Sequence, residues 1–154
     1  MPKKSYYQQN DGRLSYTPPK YLGTQAKACW RKIVPFLEQT NKVDRIDSEL
    51  VERYCVTYET YREAYKDVLE NKIQTKIFKS LQDMTGKVIG RDFVGYKKNP
   101  AVGTMKDAVT QLNAIGEQLG LSPKARTELM ALKVPGKEDN RSIEEKMKDY
   151  LGES

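Results

Sequence analysis

Residues 47–69 have the sequence DSELVERYCVTYETYREAYKDVL, and this stretch decides the fold. Apolar and tyrosine side chains recur along it at alternating steps of four and three, which places them on one stripe of an α-helix. These residues are Leu50, Tyr54, Tyr58, Tyr61, Tyr65 and Val68. Charged residues fill the other faces. Because a lone helix of this length cannot bury its own stripe, the pattern predicts a partner packed along it.

The nearest partner lies upstream, between Thr24 and Glu38. A polar link, residues 39–45, joins it to the long helix, so the sequence predicts an antiparallel helical hairpin. Pro35, inside the first helix, predicts a bend near its end. We expect one set of side chains to form the core or a subunit seam; stacking of its aromatic members on DNA bases is the alternative. That set is Trp30, Ile33, Leu37, Leu50, Tyr54, Tyr58, Tyr61 and Tyr65.

The pattern changes its period after Glu70. Residues 75–82 (TKIFKSLQ) and 87–94 (KVIGRDFV) are rich in β-branched and aromatic side chains, and Asp83 and Gly86 frame a turn between them. This predicts a β-hairpin over about residues 75–94, which needs the helices or a neighbouring subunit for support. The alternative continues the long helix through Ile73, Ile77, Leu81 and Met84.

Two further helices follow the predicted β-hairpin. Asn99-Pro100 starts a third helix that ends at Gly120, and Ser122-Pro123 opens a short fourth. The pair forms either a helix-turn-helix or a plain α-hairpin, because Arg126 occupies a position where the former buries an aliphatic residue. Ser142 begins a capping box, which predicts a short C-terminal helix.

The fold class is therefore mainly α, with the β-hairpin between two helical pairs. We expect a flexible basic arm at residues 1–20, a helical domain at residues 21–132 that begins near Tyr21, and a linker with a C-terminal helix at residues 133–154.

The composition argues against catalysis and membrane insertion. The 154 residues include no histidine, no phosphate-binding glycine loop and no nucleophile elbow, so we expect a protein that is not an enzyme and has no cofactor or metal. Cys29 and Cys55 lack metal-ligand spacing and are expected to be buried thiols. Without a long apolar run or a secretory signal, the sequence favours the cytoplasm and no membrane partner.

Charge is distributed in blocks along the chain. Net charge is +6 for residues 1–34, −4 for 35–70, +6 for 71–106 and −2 for 107–154. Basic blocks suit a polyanion such as DNA, and the alternation suits copies of the chain docked basic against acidic; a solvated surface is the alternative. Candidate DNA contacts are Lys76, Lys79, Lys87, Arg91, Lys97 and Lys98 in the β-hairpin, Lys124 and Arg126 in the fourth helix, and Lys3, Lys4 and Arg13 in the arm.

Several short motifs occur in a specific order between Pro18 and Leu132. They are PPKYL at 18–22, Trp30 followed by Ile33-Val34-Pro35-x-Leu37, Tyr54-Cys55 with Tyr58, Asn99-Pro100-Ala101, and LGLSP at 119–123 with Ala125-Arg126. In this order they resemble the terminase small subunit of tailed phages, in particular the cos-type family of phages that infect Gram-positive bacteria.

The resemblance implies a non-catalytic partner of a packaging motor. It implies a ring of about eight to ten copies that binds double-stranded phage DNA near the packaging start site. The ring would recruit and regulate the large subunit, which carries the ATPase and nuclease, in the cytoplasm of the infected bacterium. The alternative is a transcriptional regulator that uses residues 105–131 as a helix-turn-helix and binds DNA as a dimer.

Overall fold

The computed structural model describes residues 3–133, which form four helices and one β-hairpin. The elements are α1 (Thr24–Thr40), α2 (Ser48–Asn71), β1 (Gln74–Gln82), β2 (Val88–Lys98), α3 (Pro100–Gln118) and α4 (Pro123–Lys133). The predicted order of helical hairpin, β-hairpin and two helices is confirmed, and the alternative of a continuous helix through Ile77 is wrong. The capping box at Ser142 lies outside the described residues. No helix within residues 3–133 is long and apolar enough to cross a membrane.

The core lies between α1 and α2. Trp30 is 2% exposed, and Val34, Leu37, Val51 and Cys55 are completely buried. Full burial of an aliphatic side chain stabilises the fold by roughly 1.5–3 kcal/mol, so this cluster is the main source of stability. The helix α1 includes Pro35 and continues to Thr40, where Asn41 ends it in the left-handed conformation.

The two cysteines face each other across this core. Both are free thiols and both are buried. A hydrogen bond between the two sulfur atoms, together with burial, raises the pKa of the Cys55 thiol. Cys55 therefore stays protonated at neutral pH and packs as a small apolar side chain.

The tyrosine stripe of α2 lies at the edge of the core, because α2 packs against both α1 and α3. The deepest residues of α2 are Val51 and Cys55, one position away from the stripe. Tyr54 and Tyr58 are partly buried against the core, with Tyr54 beside Gly116 of α3. Further along the stripe Tyr61 and Tyr65 stack on each other, with ring centroids 6.4 Å apart. Tyr61 is half-buried and Tyr65 is exposed. The stripe is thus the margin of the core.

Residues 3–22, here called the strap, pack on the helical hairpin. Leu14 is 1% exposed and belongs to the core cluster, so the packed part of the chain begins upstream of Tyr21, where the sequence pattern places its start. The indole Nε1 of Trp30 donates a hydrogen bond to the Ser15 carbonyl at 2.9 Å, and the Leu14 amide donates to Glu38 Oε1 at 2.8 Å. Two partly buried hydrogen bonds and one buried apolar side chain therefore hold the strap on α1.

Two aromatic side chains connect the strap to the start of α2. The Tyr6 hydroxyl lies 2.6 Å from Ser48 Oγ, and the Arg45 guanidinium lies 4.6 Å from the centre of the Tyr6 ring. The Tyr21 hydroxyl donates to the Glu52 carboxylate, and this hydrogen bond raises the pKa of Tyr21 to about 12.

A carboxylate of α2 caps the first turn of α1. Gly23, the residue before α1, has no side chain to bond the free amides of that turn. Glu59 Oε1 of α2 accepts a hydrogen bond from the Gln25 amide at 2.9 Å instead. A Cβ atom at Gly23 would collide with the Glu59 carboxylate, so a larger residue there would have to displace this side chain from the cap. The contact links α2 to the start of α1.

Candidate nucleic-acid interface

The β-hairpin is fixed at its base by Asn99. The Asn99 side chain accepts a hydrogen bond from the Ala101 amide and thereby caps α3. Its Nδ2 donates to Asp67 Oδ1 at 2.7 Å and to the Lys72 carbonyl at 3.1 Å. One side chain therefore joins the end of α2, the root of the β-hairpin and the start of α3, and it determines where the β-hairpin leaves the helices.

Asp83 organises the turn at the tip of the β-hairpin. Asp83 Oδ1 accepts hydrogen bonds from Thr85 Oγ1 at 2.6 Å, the Thr85 amide at 2.9 Å and the Lys87 amide at 3.0 Å. These bonds lower the pKa of the Asp83 carboxyl, with the Thr85 side chain as the largest cause. Gly86 has φ of +84°, the left-handed conformation that lets the chain turn back into β2.

The register of the strands defines two faces. Strands β1 and β2 are antiparallel, and Lys76, Phe78 and Ser80 lie opposite Tyr96, Phe93 and Arg91. Residues paired in this way share a face, and alternate residues of β1 point to opposite sides. The aromatic face comprises Gln74, Lys76, Phe78, Ser80, Arg91, Phe93, Tyr96 and Lys98. The aliphatic face comprises Thr75, Ile77, Lys79, Leu81, Gly90, Asp92, Gly95 and Lys97.

A bulge in β2 builds the aromatic face. Phe93 and Tyr96 are three residues apart, so a regular strand would direct them to opposite sides. The register shifts between Ile77 and Phe78, which places one extra β2 residue there and restores both rings to one side. Phe93 contacts Phe78 and Tyr96 edge to face, with ring centroids 5.9 and 5.2 Å apart. These contacts confirm the face assignment.

Both faces are open to solvent. Every residue of β1 is exposed, and in β2 only Gly90 and Gly95 are partly buried. The exposed residues include Phe78 and Tyr96, at 50% and 56%, and Ile77 on the other face at 43%. A two-stranded sheet with apolar side chains uncovered on both sides has the properties of an interaction element.

The candidate cations of the β-hairpin are all exposed but are divided between its faces. Lys76, Arg91 and Lys98 lie on the aromatic face, which carries no carboxylate. Lys79 and Lys97 lie on the aliphatic face, where Lys79 is opposite Asp92, and Lys87 lies at the end of the turn. Among the residues whose side chains are described, the ion pairs Lys66–Glu70 and Lys124–Glu128 lie on helices, and no β-hairpin cation pairs with a carboxylate.

The other candidate cations lie elsewhere. Lys3, Lys4 and Arg13 are exposed on the strap, and Arg13 lines a depression near the α1–α2 loop. That loop and the β-hairpin lie at opposite ends of α2, whose 24 residues span about 36 Å at 1.5 Å per residue. The structure therefore does not bring the strap cations together with those of the β-hairpin.

The fourth helix uses one of its candidate cations for structure. Arg126 is half-buried, and its Nη1 donates a hydrogen bond to the Leu121 carbonyl at 2.8 Å, closing the turn before α4. Lys124 is exposed, with its Nζ 3.9 Å from Glu128 Oε1. Ala125 is the buried residue of this turn.

The chemistry of the described residues suits binding. Within residues 3–133, no three carboxylate or thiol side chains converge in a way that could hold a metal ion. Exposed cations on a projecting β-hairpin can contact phosphates, and exposed rings can contact bases or another protein surface. Sequence reasoning found the cations but missed Asn99 as an anchor and the aromatic face. Gly90 and Gly95 inside a strand were the available signal for the bulges.

Comparison with known proteins adds the family. A family model described as "Phage terminase, small subunit" matches residues 26–135, more than two thirds of the chain. The chain belongs to the phage terminase small-subunit family. Comparisons of this chain with curated proteins and with solved structures found no match. The matched region begins two residues into α1 and contains the rest of the helical hairpin, the β-hairpin and α3–α4, whereas the whole strap precedes it.

Proposed function

We propose that this chain is the DNA-binding small subunit of a cos-type phage terminase. It assembles into a ring of about eight to ten copies and binds double-stranded phage DNA near the packaging start site. It recruits and regulates the large ATPase–nuclease subunit in the cytoplasm of the infected host, a Gram-positive bacterium. Family membership supports this role, and the motor's enzymatic activities belong to the large subunit.

One observation carries the DNA-binding part of the proposal. The β-hairpin, residues 74–98, has six basic and two acidic residues, and none of its cations is paired with a carboxylate in the described structure. When cations that are not neutralised within the protein contact phosphates, they release counterions condensed on the DNA. This release is the main source of non-specific affinity for DNA. The β-hairpin is therefore the strongest DNA-contact candidate.

Ring assembly is supported by the uncovered β-hairpin and by the charge blocks. Ile77 and Leu81 on the aliphatic face lie opposite glycines, and both side chains are more than 40% exposed. A neighbouring copy would bury them, since a lone two-stranded sheet is marginally stable. Contacts between unlike surfaces close a ring when the rotation between copies is suitable. Blocks of opposite net charge at residues 35–70 and 71–106 provide such unlike surfaces.

The salt dependence of binding tests the DNA contact. In the full chain, Lys76, Lys79, Lys87 and Arg91 are replaced together by Gln. Binding to a duplex is measured over a range of salt concentrations. Each lost phosphate contact lowers the slope of log K against log salt by about 0.9, so we expect a reduction of about 3 to 4.

A matched control removes the same charge elsewhere. Arg53, Arg62, Lys66 and Lys106 are exposed on helices α2 and α3, and their combined replacement by Gln should leave the slope within about one unit of wild type. An unchanged slope in the β-hairpin variant would contradict the proposal and move the DNA contact to Arg13 and the strap or to Lys124.

A further inference from the structure

The aromatic face differs from the rest of the surface in combining exposed rings with unopposed positive charge. Phe78, Phe93 and Tyr96 are each about half exposed, and Phe93 lies between the other two. Since each ring keeps about half of its surface open to solvent, all three retain surface that could contact a planar ligand. The bulge in β2 is needed to place all three rings together.

The charge on this face selects the class of partner. Lys76 is paired with Tyr96 across the strands, Arg91 is paired with Ser80, and Lys98 lies at the base of the same face. No acidic residue shares it, whereas the aliphatic face includes Asp92. Two copies that met through this same face would repel each other, while a polyanion would be attracted to it. Charge complementarity therefore favours nucleic acid as the partner of the aromatic face.

The rings then distinguish between paired and unpaired nucleic acid. In a duplex the flat sides of the bases are covered by neighbouring bases, so the exposed rings have no base to stack on and only the cations contact the phosphates. In single-stranded or locally opened DNA the bases can stack on aromatic side chains, and each stack adds to the affinity whatever the base. A face that interleaves lysine, arginine and aromatic rings has the composition of such a stacking platform.

We propose that the aromatic face of the β-hairpin binds unpaired DNA bases, with Phe78 and Tyr96 stacking on bases and Lys76, Arg91 and Lys98 contacting the adjoining phosphates. The inference rests on the proposed DNA binding and deepens it. The chain prefers DNA that is single-stranded or locally open over a perfect duplex of the same length.

The test separates stacking from simple apolar contact. In the full chain, Phe78 and Tyr96 are replaced together by Leu, which keeps apolar bulk but removes the rings. Three fluorescein-labelled DNAs are compared by anisotropy at one salt concentration: oligothymidine of 20 nucleotides, a 20-bp duplex, and the same duplex with four central mismatches. We expect wild type to prefer the first and third, and the variant to lose about tenfold or more on these two but less than about twofold on the duplex.

A second variant separates charge from stacking. Lys76→Gln with Lys98→Gln should weaken binding to all three DNAs and lower the salt slope by about 1.8 on the duplexes and about 1.4 on oligothymidine. The Leu variant should keep the wild-type salt slope. Native mass spectrometry of the Leu variant should give the wild-type number of subunits.

The outcomes distinguish this inference from the proposed function. If wild type binds the duplex as tightly as the opened DNAs and the Leu variant changes nothing, the stacking role is wrong while DNA binding stands. If the Leu variant loses subunits, the aromatic face is a subunit contact and the inference is overturned. If wild type binds none of the three DNAs, the proposed function itself fails.

Discussion

The helices and the β-hairpin of this chain bury their apolar side chains to very different extents. In α1, Trp30, Val34 and Leu37 are at most 2% exposed, whereas Phe78 and Phe93 in the β-hairpin are about half exposed. The helices thus obtain their stability from burial within one chain. The β-hairpin depends on local hydrogen bonds at its turn and base and on whatever covers its faces. The comparison separates a region that maintains the fold from a region that we propose binds a partner, and mutations should affect the two differently.

The largest expected effect comes from Trp30→Ala. Removing a buried indole leaves a cavity and also breaks the hydrogen bond to Ser15, so we expect a loss of about 3–5 kcal/mol of stability, measured by thermal and urea unfolding. Phe93→Ala in the β-hairpin should cost much less because that ring is half exposed. If the Trp30 variant and wild type had the same melting temperature, the assignment of Trp30 to the core would be wrong.

The next effect concerns the strap. Leu14→Ala should cost about 2–4 kcal/mol, because Leu14 is buried among the core residues. Tyr16→Ala, two residues away and 63% exposed, is the matched control and should change stability by less than about 0.5 kcal/mol. If the two variants melt alike, the strap contributes no core residue.

A smaller effect is expected at the cap supplied by α2. Glu59→Ala removes the acceptor for the Gln25 amide, and loss of an N-cap hydrogen bond costs about 1 kcal/mol, measured by urea unfolding. Glu63→Ala removes an exposed carboxylate one turn further along α2 and should be close to neutral. A greater loss at Glu63 than at Glu59 would show that charge on α2, rather than the cap, determines the result.

The smallest effect is local to the β-hairpin and depends on pH. Its hydrogen bonds lower the pKa of Asp83 in the folded chain below the ordinary value of 3.8. The folded state therefore favours the carboxylate, and the stabilisation is present above pH 3.8 and is lost as pH falls through the lowered pKa. Hydrogen-exchange protection of the Thr85 and Lys87 amides, followed by NMR, should decrease over that range.

Asp83→Asn provides the control for this titration. The variant cannot ionise, so protection at its turn should already be reduced at pH 5 and should change little on acidification. Wild-type protection that stays constant to pH 2 would contradict the assigned role of the Asp83 carboxylate.

The fold was largely predictable because its signals are local. Asp83 and Gly86 marked the turn, Asn99-Pro100 marked the start of α3, and the 3.6-residue period marked α1 and α2. The burial of Leu14 was not predictable, because it depends on a contact with α1 made by a segment without periodicity. The sequence also could not show that α2 packs against two neighbouring helices. Because of this packing, Val51 and Cys55 are the deepest residues of α2, and the tyrosine stripe is not.

The candidate site was predictable only as a set of charges. The sequence identified the β-hairpin cations, but their division between two faces depends on the bulge near Phe78, which shifts the alternation of β2. Arg126 was a candidate DNA contact at a position where a helix-turn-helix buries an aliphatic residue, and its hydrogen bond to the Leu121 carbonyl depends on the geometry of a turn that only the three-dimensional structure provides. Local patterns specify elements, whereas the faces and side-chain partners come from tertiary packing.

The most direct test of the central claim is the mass of the native assembly, measured by native mass spectrometry at low and moderate salt, with and without duplex DNA. The proposed ring predicts one closed species that binds DNA, with about eight to ten copies, the size that the family resemblance implies. A monomer that keeps its β-hairpin uncovered at every salt concentration would contradict the account. A dimer specific for a short palindrome would favour the helix-turn-helix regulator instead.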